Sequence, residues 1–282
     1  MENQQVWFVT GASKGLGLIL TQQLLKAGHK VVATSRTINI LTGTIGTGQS
    51  ENFLPLEMVL TDETSVKNAI SRTVEVFGKI DIIVNNAGYG QFGTLEELSD
   101  QESRRNFDIN VFGSLNVIRH AMPYLRTQRS GKIFNISSIG GYAGNFAGWG
   151  IYCATKFAVA GFTESLAAEI KGFGISATVV YPGYFRTSFL TQESLMGPSH
   201  SIDAYEDARA SQAAHQHDIN GNQEGDPVKG VAVLIKIASE INPPVHLFLG
   251  QDAYDMAGTK IATVQHDLET WKALTVSTGF TV

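Results

Sequence analysis

The stretch "VWFVTGASKGLGLIL" (residues 6–20) decides the fold. It opens on β-rich apolar residues, turns through Gly11, Gly15 and Gly17, and runs on with helical period. Leu16, Ile19, Leu20 and Leu24 share one side of that helix, and Gly28 stops it. A glycine-rich turn after a first strand and before a helix makes an anion cradle. Glycines lack the Cβ atoms that would hold a pyrophosphate off the backbone, and the helix start offers free N–H groups. The spacing is G-x-x-x-G-x-G, and the candidate lining is Gly11, Ser13, Lys14, Gly15, Leu16 and Gly17. The competing reading of this stretch alone is a merely structural turn.

Six further apolar runs follow: 30–34, 53–59, 80–85, 132–137, 175–181 and 245–250. They are nearly continuous in apolar residues, as strands buried on both faces are. Helical patterns separate several of them. Ser99 with Glu102 forms a capping box ahead of a helix to about Arg126, and "YCATKFAVAGFTESLAAEI" (152–170) is a second long helix. The alternation predicts an α/β chain: a single-domain Rossmann fold over 1–282, its doubly wound parallel sheet of about seven strands covered by helices on both faces. Two segments break the rhythm. Residues 42–50 read as a flexible connection, and 188–226 as a long irregular loop of the kind that is functional or disordered. Residues from about 251 to 282 form a C-terminal extension.

The 282 residues are 43% hydrophobic and 17% charged, which suits a globular chain. A net charge of −5 gives no basic excess for nucleic acid or an anionic membrane surface. "GVAVLIKIA" is too short to span a bilayer, and "MENQQVWFVTG" lacks the pattern of a signal peptide. Cys153 is the only cysteine, so no internal disulfide forms, and a cytoplasmic setting is expected.

The second strand ends in "ATSRT" (33–37). A carboxylate there would bind the ribose 2′-OH of NAD; Arg36 stands there instead, and Lys14 adds a second positive charge across the expected adenosine site. NADP(H) is therefore preferred, with NAD(H) the alternative. Tyr152 and Lys156 lie four apart, on one face of a helix. About half such a match is expected by chance in a chain with eight Tyr, so the pair needs company.

That company is present. With the glycine turn, "NNAG" (85–88), "FDINVFG" (107–113), "NISSIGG" (135–141), "YCATK" (152–156) and "YPGYFRT" (181–187) follow in an order and spacing that resemble the short-chain dehydrogenase/reductase family over roughly residues 5–190. The resemblance implies Ser138, Tyr152 and Lys156 as the catalytic set with Asn110 as fourth member. It implies Asn85, Ala87 and Gly88 near the adenosine side, where they also brace the sheet, and Pro182, Gly183 and Thr187 at the nicotinamide carboxamide. Ser138 is chosen over Ser137 as the last residue before the apolar-Gly turn. Neighbouring strand side chains face opposite ways, so only one of the two can serve. Val59 stands where many relatives carry an adenine-contacting Asp, and Asp62 reads as a helix cap. Arg129 fits one of two arginines that dock acyl carrier protein, but Phe173 replaces the other.

The implied reaction interconverts a small-molecule ketone or aldehyde and an alcohol by hydride transfer, with Tyr152 as general acid or base and Lys156 lowering its pKa. Phe146, Trp149, Tyr184 and Phe189 are the candidate substrate wall and point to a hydrophobic or aromatic ketone. A 3-ketoacyl or steroid-type reductase is an alternative within the class, and a non-catalytic NADP-sensing scaffold is one outside it. No metal is expected; His215 and His217 read as solvated loop histidines. The family's habit of pairing its two long helices between subunits implies a homo-oligomer, a dimer or a tetramer.

Overall fold

A computed structural model describes residues 4–280; the first three and last two residues of the expected 1–282 domain lie outside it. In chain order the elements are β1 Val6–Val9, α1 Gly15–Lys26, β2 Lys30–Ser35, α2 Ile38–Ile45, β3 Phe53–Glu57, α3 Glu63–Phe77, β4 Ile82–Asn85, β5 Gly90–Gln91, α4 Asp100–Phe107, α5 Gly113–Gln128, β6 Gly131–Ile136, α6 Gly150–Ile170, β7 Ile175–Pro182, β8 Leu195–Met196, α7 Glu206–Ala213, α8 Pro227–Ser239, β9 His246–Leu249 and α9 Gln251–Thr275. Seven strands form one parallel sheet in the order β3-β2-β1-β4-β6-β7-β9. All seven apolar runs are its strands. Pro55 is tolerated because β3 is an edge strand, where a missing N–H leaves no neighbour unpaired.

Each strand sends alternate side chains into two cores. Val6 and Phe8 join α3, α5 and α6 on one face, and Trp7 and Val9 join α1, α2 and α8 on the other. The four residues of β1 are buried, so the run carries no polar alternation. The strand order reverses between β1 and β4, which opens a crevice at the carboxyl ends of the strands.

Two expectations need correction. Residues 42–45 belong to α2, which ends at Gly46 in the left-handed region (φ 82°), so the connection is shorter than it reads. The segment 188–226 holds α7, a π-helical turn at 214–219 and β8, which pairs with β5. The helix to about Arg126 runs on to Gln128, with a π-turn, Asp108–Phe112, set between α4 and α5.

The capping box at Ser99 has a second job. One oxygen of Glu102 accepts from the Ser99 N–H and hydroxyl, and the other accepts from the N–H and hydroxyl of Ser199 at 2.9 and 2.8 Å. Burial pushes the Glu102 carboxyl up, but these hydrogen bonds outweigh it and hold the group at about 2. Its folded value is depressed, so the stability it contributes is present above the unfolded value near 4.5 and is lost as pH falls toward 2. The Tm difference between wild type and Glu102→Gln should therefore shrink as pH is lowered from 6 to 3; a constant difference would refute the tie.

Candidate active site

The cofactor side is built from the turn after β1. Gly11 has φ 64°, and a Cβ there would lie 2.8 Å from the Ala87 Cα. A Cβ on Gly17 would lie 2.6 Å from the Gly11 carbonyl oxygen, so the turn closes only with glycine. Asn86 locks it from β4: its Nδ2 donates to the carbonyls of Thr10 and Gly11, while the Thr10 hydroxyl accepts from the N–H groups of Asn86 and Ala87. No side chain caps the N-terminus of α1, so its first N–H groups open into the crevice. A cradle that a Cβ would fill, ahead of an uncapped helix start, fits a dinucleotide pyrophosphate.

The adjoining cavity measures about 980 Å³ and takes in Gly11, Ser13, Lys14, Gly15, Leu16 and Arg36. Ala87, Gly88, Pro182, Gly183 and Thr187 also line it, and Gly17 lies just behind, under the turn. Asn85 does not line it. That residue is buried, donates to Asn135 at 2.8 Å and so braces β4 against β6; its neighbour Asn86, which the sequence reading passed over, faces the crevice. Lys14 reaches across the mouth to Glu193, 3.2 Å from its carbonyl and 3.7 Å from its carboxylate, so its charge is already shared. Arg36 is exposed at the end of β2 and makes no ion pair among the described residues. Val59 lines the cavity, and Asp62 caps α3 through the N–H groups of Thr64 and Ser65.

Tyr152 stands in the first turn of α6, with Lys156 one turn on. Lys156 is 4% exposed, its Nζ donates to the Ile136 carbonyl at 2.9 Å, and it lies 5.8 Å from the centre of the Tyr152 ring. Ser138 follows β6; its Oγ accepts from the Gly140 N–H, and its hydroxyl also interacts with the Tyr152 phenol. Ser137 faces the other way and donates to the Lys156 carbonyl at 2.8 Å. Ser138→Ala should thus lower turnover about 10- to 100-fold with little change in Tm, whereas Ser137→Ala should cost about 1 kcal/mol of stability. Initial rates and melting curves on both variants check this; equal effects on the two readouts would contradict the division.

Asn110 sits in the π-turn. Its Nδ2 donates to the Tyr89 carbonyl and the Thr155 hydroxyl at 3.0 and 3.1 Å, and its Oδ1 accepts from the Tyr89 N–H. Both amide hydrogens are thereby committed, so the side chain clamps α6 to the segment after β4. A Cβ on Gly88 would fall 2.9 Å from Asn110 Oδ1 and 3.5 Å from Lys156 Nζ. Only glycine lets these two groups approach across that position.

Burial pushes the Tyr152 phenol above its ordinary range, the Ser138 hydroxyl pulls it back, and Cys153 and Tyr184 push further. The same burial lowers the Lys156 ammonium to about 8, which leaves it largely charged at pH 7.

On the opposite wall, Trp149 packs edge-on to Phe92 and Tyr152 with ring centres 5.5 and 5.7 Å apart, and Phe189 lies 5.8 Å from Tyr152. Phe146 and Tyr184 complete the expected set. Phe185 also lines the cavity and packs against the core beside α8. The reading of His215 needs correction: it is 8% exposed and lines the cavity, 4.8 Å from Trp149, while His217 is exposed. Residues two positions apart on a helical turn face roughly opposite ways, so one histidine is inside and the other outside. Tyr184 is held by Asp252 of α9, whose carboxylate accepts from its N–H at 2.6 Å and occupies the space a Cβ on Gly183 would need.

The short chain dehydrogenase family matches residues 5–196. A 3-ketodihydrosphingosine reductase of Bacteroides thetaiotaomicron is 36% identical over 251 residues, 87% of this chain and 88% of its own. A short-chain dehydrogenase from Streptomyces avermitilis superposes with a TM-score of 0.89 at 30% identity, covering 99% of this chain and all of its own. A structure of ElxO with NADP bound superposes at 0.71 with 27% identity, covering 88% of this chain and 97% of its own. With the matched segment, the parallel sheet and the crevice geometry in agreement, the chain belongs to the short-chain dehydrogenase family and is an oxidoreductase of its NAD(P)(H)-dependent type.

Proposed function

We propose that the protein is an NADP(H)-dependent carbonyl reductase, running in reverse as an alcohol dehydrogenase, on a small hydrophobic or aromatic ketone. The observation that carries this is the meeting of Ser138, Tyr152 and Lys156 in the same cavity as the uncapped start of α1 and the side chain of Arg36. ElxO, a relative of the same fold, is solved with NADP bound, and Arg36 supplies a partner for a 2′-phosphate here. NADPH, when bound, supplies the hydride. Tyr152 gives the proton to the carbonyl oxygen, and Ser138 orients that oxygen by hydrogen bonding. Lys156, still largely charged at pH 7 with a pKa of about 8, steadies the phenolate left behind. Asn110 keeps α6, and so both side chains, in register with the segment after β4.

The second reading is a ketolipid or 3-ketoacyl reductase, in keeping with the activity named for the Bacteroides relative. Docking of an acyl carrier is disfavoured: the Arg129 guanidinium is tied to the Gly172 carbonyl, and Phe173 packs against the core. Among the described residues no helix is long and apolar enough to cross a membrane, and we take the setting as cytoplasmic. A homo-oligomer would use Phe112 and Phe157, exposed at 52% and 42%, whereas Phe162 packs inward. NADPH consumption on a panel of aryl ketones, a long-chain ketone and a ketoacyl thioester tests the reading. Tight NADPH binding without turnover on any of them would favour the sensing scaffold.

A further inference from the structure

The cavity wall beside Tyr152 carries a buried hydrogen-bonded pair that hydride transfer does not use. The Tyr184 hydroxyl lies 2.9 Å from His215 Nε2, and His215 Nδ1 lies 2.7 Å from the Ser211 carbonyl oxygen. A carbonyl oxygen only accepts, so Nδ1 carries the proton. Burial pushes the imidazole pKa down, which keeps the ring neutral and leaves Nε2 as a bare lone pair. The Tyr184 hydroxyl must then donate to Nε2. Its single proton is committed, and its oxygen has only lone pairs to offer anything else.

The surroundings give this oxygen a purpose. Both residues line the cavity, and the Trp149 ring packs against His215 on one side and Tyr152 on the other, so the pair and the candidate acid are one indole apart. Phe146 and Phe189 add apolar rings to the cavity lining, and Phe92 is buried behind Trp149. A polar acceptor held in such a setting is costly unless something donates to it.

Resting on the reductase reading, we propose that Tyr184 and His215 form a donor-reading subsite: the preferred substrates are ketones that carry a hydroxyl or amine hydrogen close to the carbonyl. The carbonyl faces Tyr152 and Ser138 while the second group donates to the Tyr184 oxygen. His215 is a positioning residue that fixes which way the phenol proton points.

Calorimetric titration of the protein saturated with NADP⁺, where a ketone binds without reacting, separates this from turnover. The probes are 2-hydroxyacetophenone and 2-methoxyacetophenone, which differ in the donor hydrogen. Wild type should bind the hydroxyketone about 10- to 100-fold more tightly. Tyr184→Phe, which removes one oxygen, should bring the ratio near 1, and His215→Gln, whose amide oxygen can still accept from Tyr184, should keep most of it. Equal affinities in wild type, or a preference that survives Tyr184→Phe, would overturn the subsite. A preference with no NADPH turnover on any ketone would support the subsite and sink the reductase reading alone.

Discussion

Tyr152→Phe is expected to lower kcat by about 10²–10⁴ while NADPH binds within a few-fold of wild type. The change removes one oxygen and leaves the ring, whose contacts with Trp149 and Phe189 hold it in the first turn of α6. Lys156 keeps its bond to the Ile136 carbonyl, so the floor of the site stays in place. What is lost is the proton donor at the carbonyl oxygen. Steady-state rates with the best ketone of the panel, paired with NADPH titration by fluorescence, check both halves. Near wild-type turnover would overturn the role of Tyr152. Burial raises the phenol pKa above its ordinary range, so Tyr152 is protonated at neutral pH, the form that the reductive direction requires.

Arg36→Ala should lower kcat/KM for NADPH about 10- to 100-fold and leave NADH within about 2-fold. Arg36 is exposed at the end of β2 with no ion pair among the described residues, so its charge is available to a 2′-phosphate and its removal disturbs no packing. Lys14→Ala should have the smaller effect of the two, because that ammonium is already shared with Glu193. Measuring both cofactors on wild type and Arg36→Ala decides the matter, and an unchanged NADPH-to-NADH ratio would remove the case for NADP(H).

Much of the fold was legible because strands covered on both faces are bare apolar runs. Val6–Val9 shows this at its plainest. What escaped notice depends on contacts distant in sequence. β5 and β8 are two residues each and pair across 105 positions, so neither makes a run of its own. Asn85 and Asn86 are identical neighbours, and only the direction of the chain as β4 ends decides that one braces the sheet and the other locks the glycine turn. His215 was misread for a similar reason. Its burial comes with contacts to Trp149, Tyr184 and Ser211, none of which the spacing H-x-H reveals. Tyr152, Lys156 and Ser138 were legible because four-residue helical spacing and strand alternation are local rules.

The π-turn at Asp108–Phe112 amounts to one residue more than a regular helix would hold. Deleting a single residue there would heal the helix locally, yet an α-helix advances about 100° per residue. The capping box of α4 and the core face of α5 are both anchored, so the rotation could not be absorbed at either end. It would fall on Asn110, swinging its amide away from Tyr89 and Thr155. In an alignment, then, a one-residue gap across 108–112 would mark a chain that has let go of its clamp on α6, even with every catalytic letter still in place.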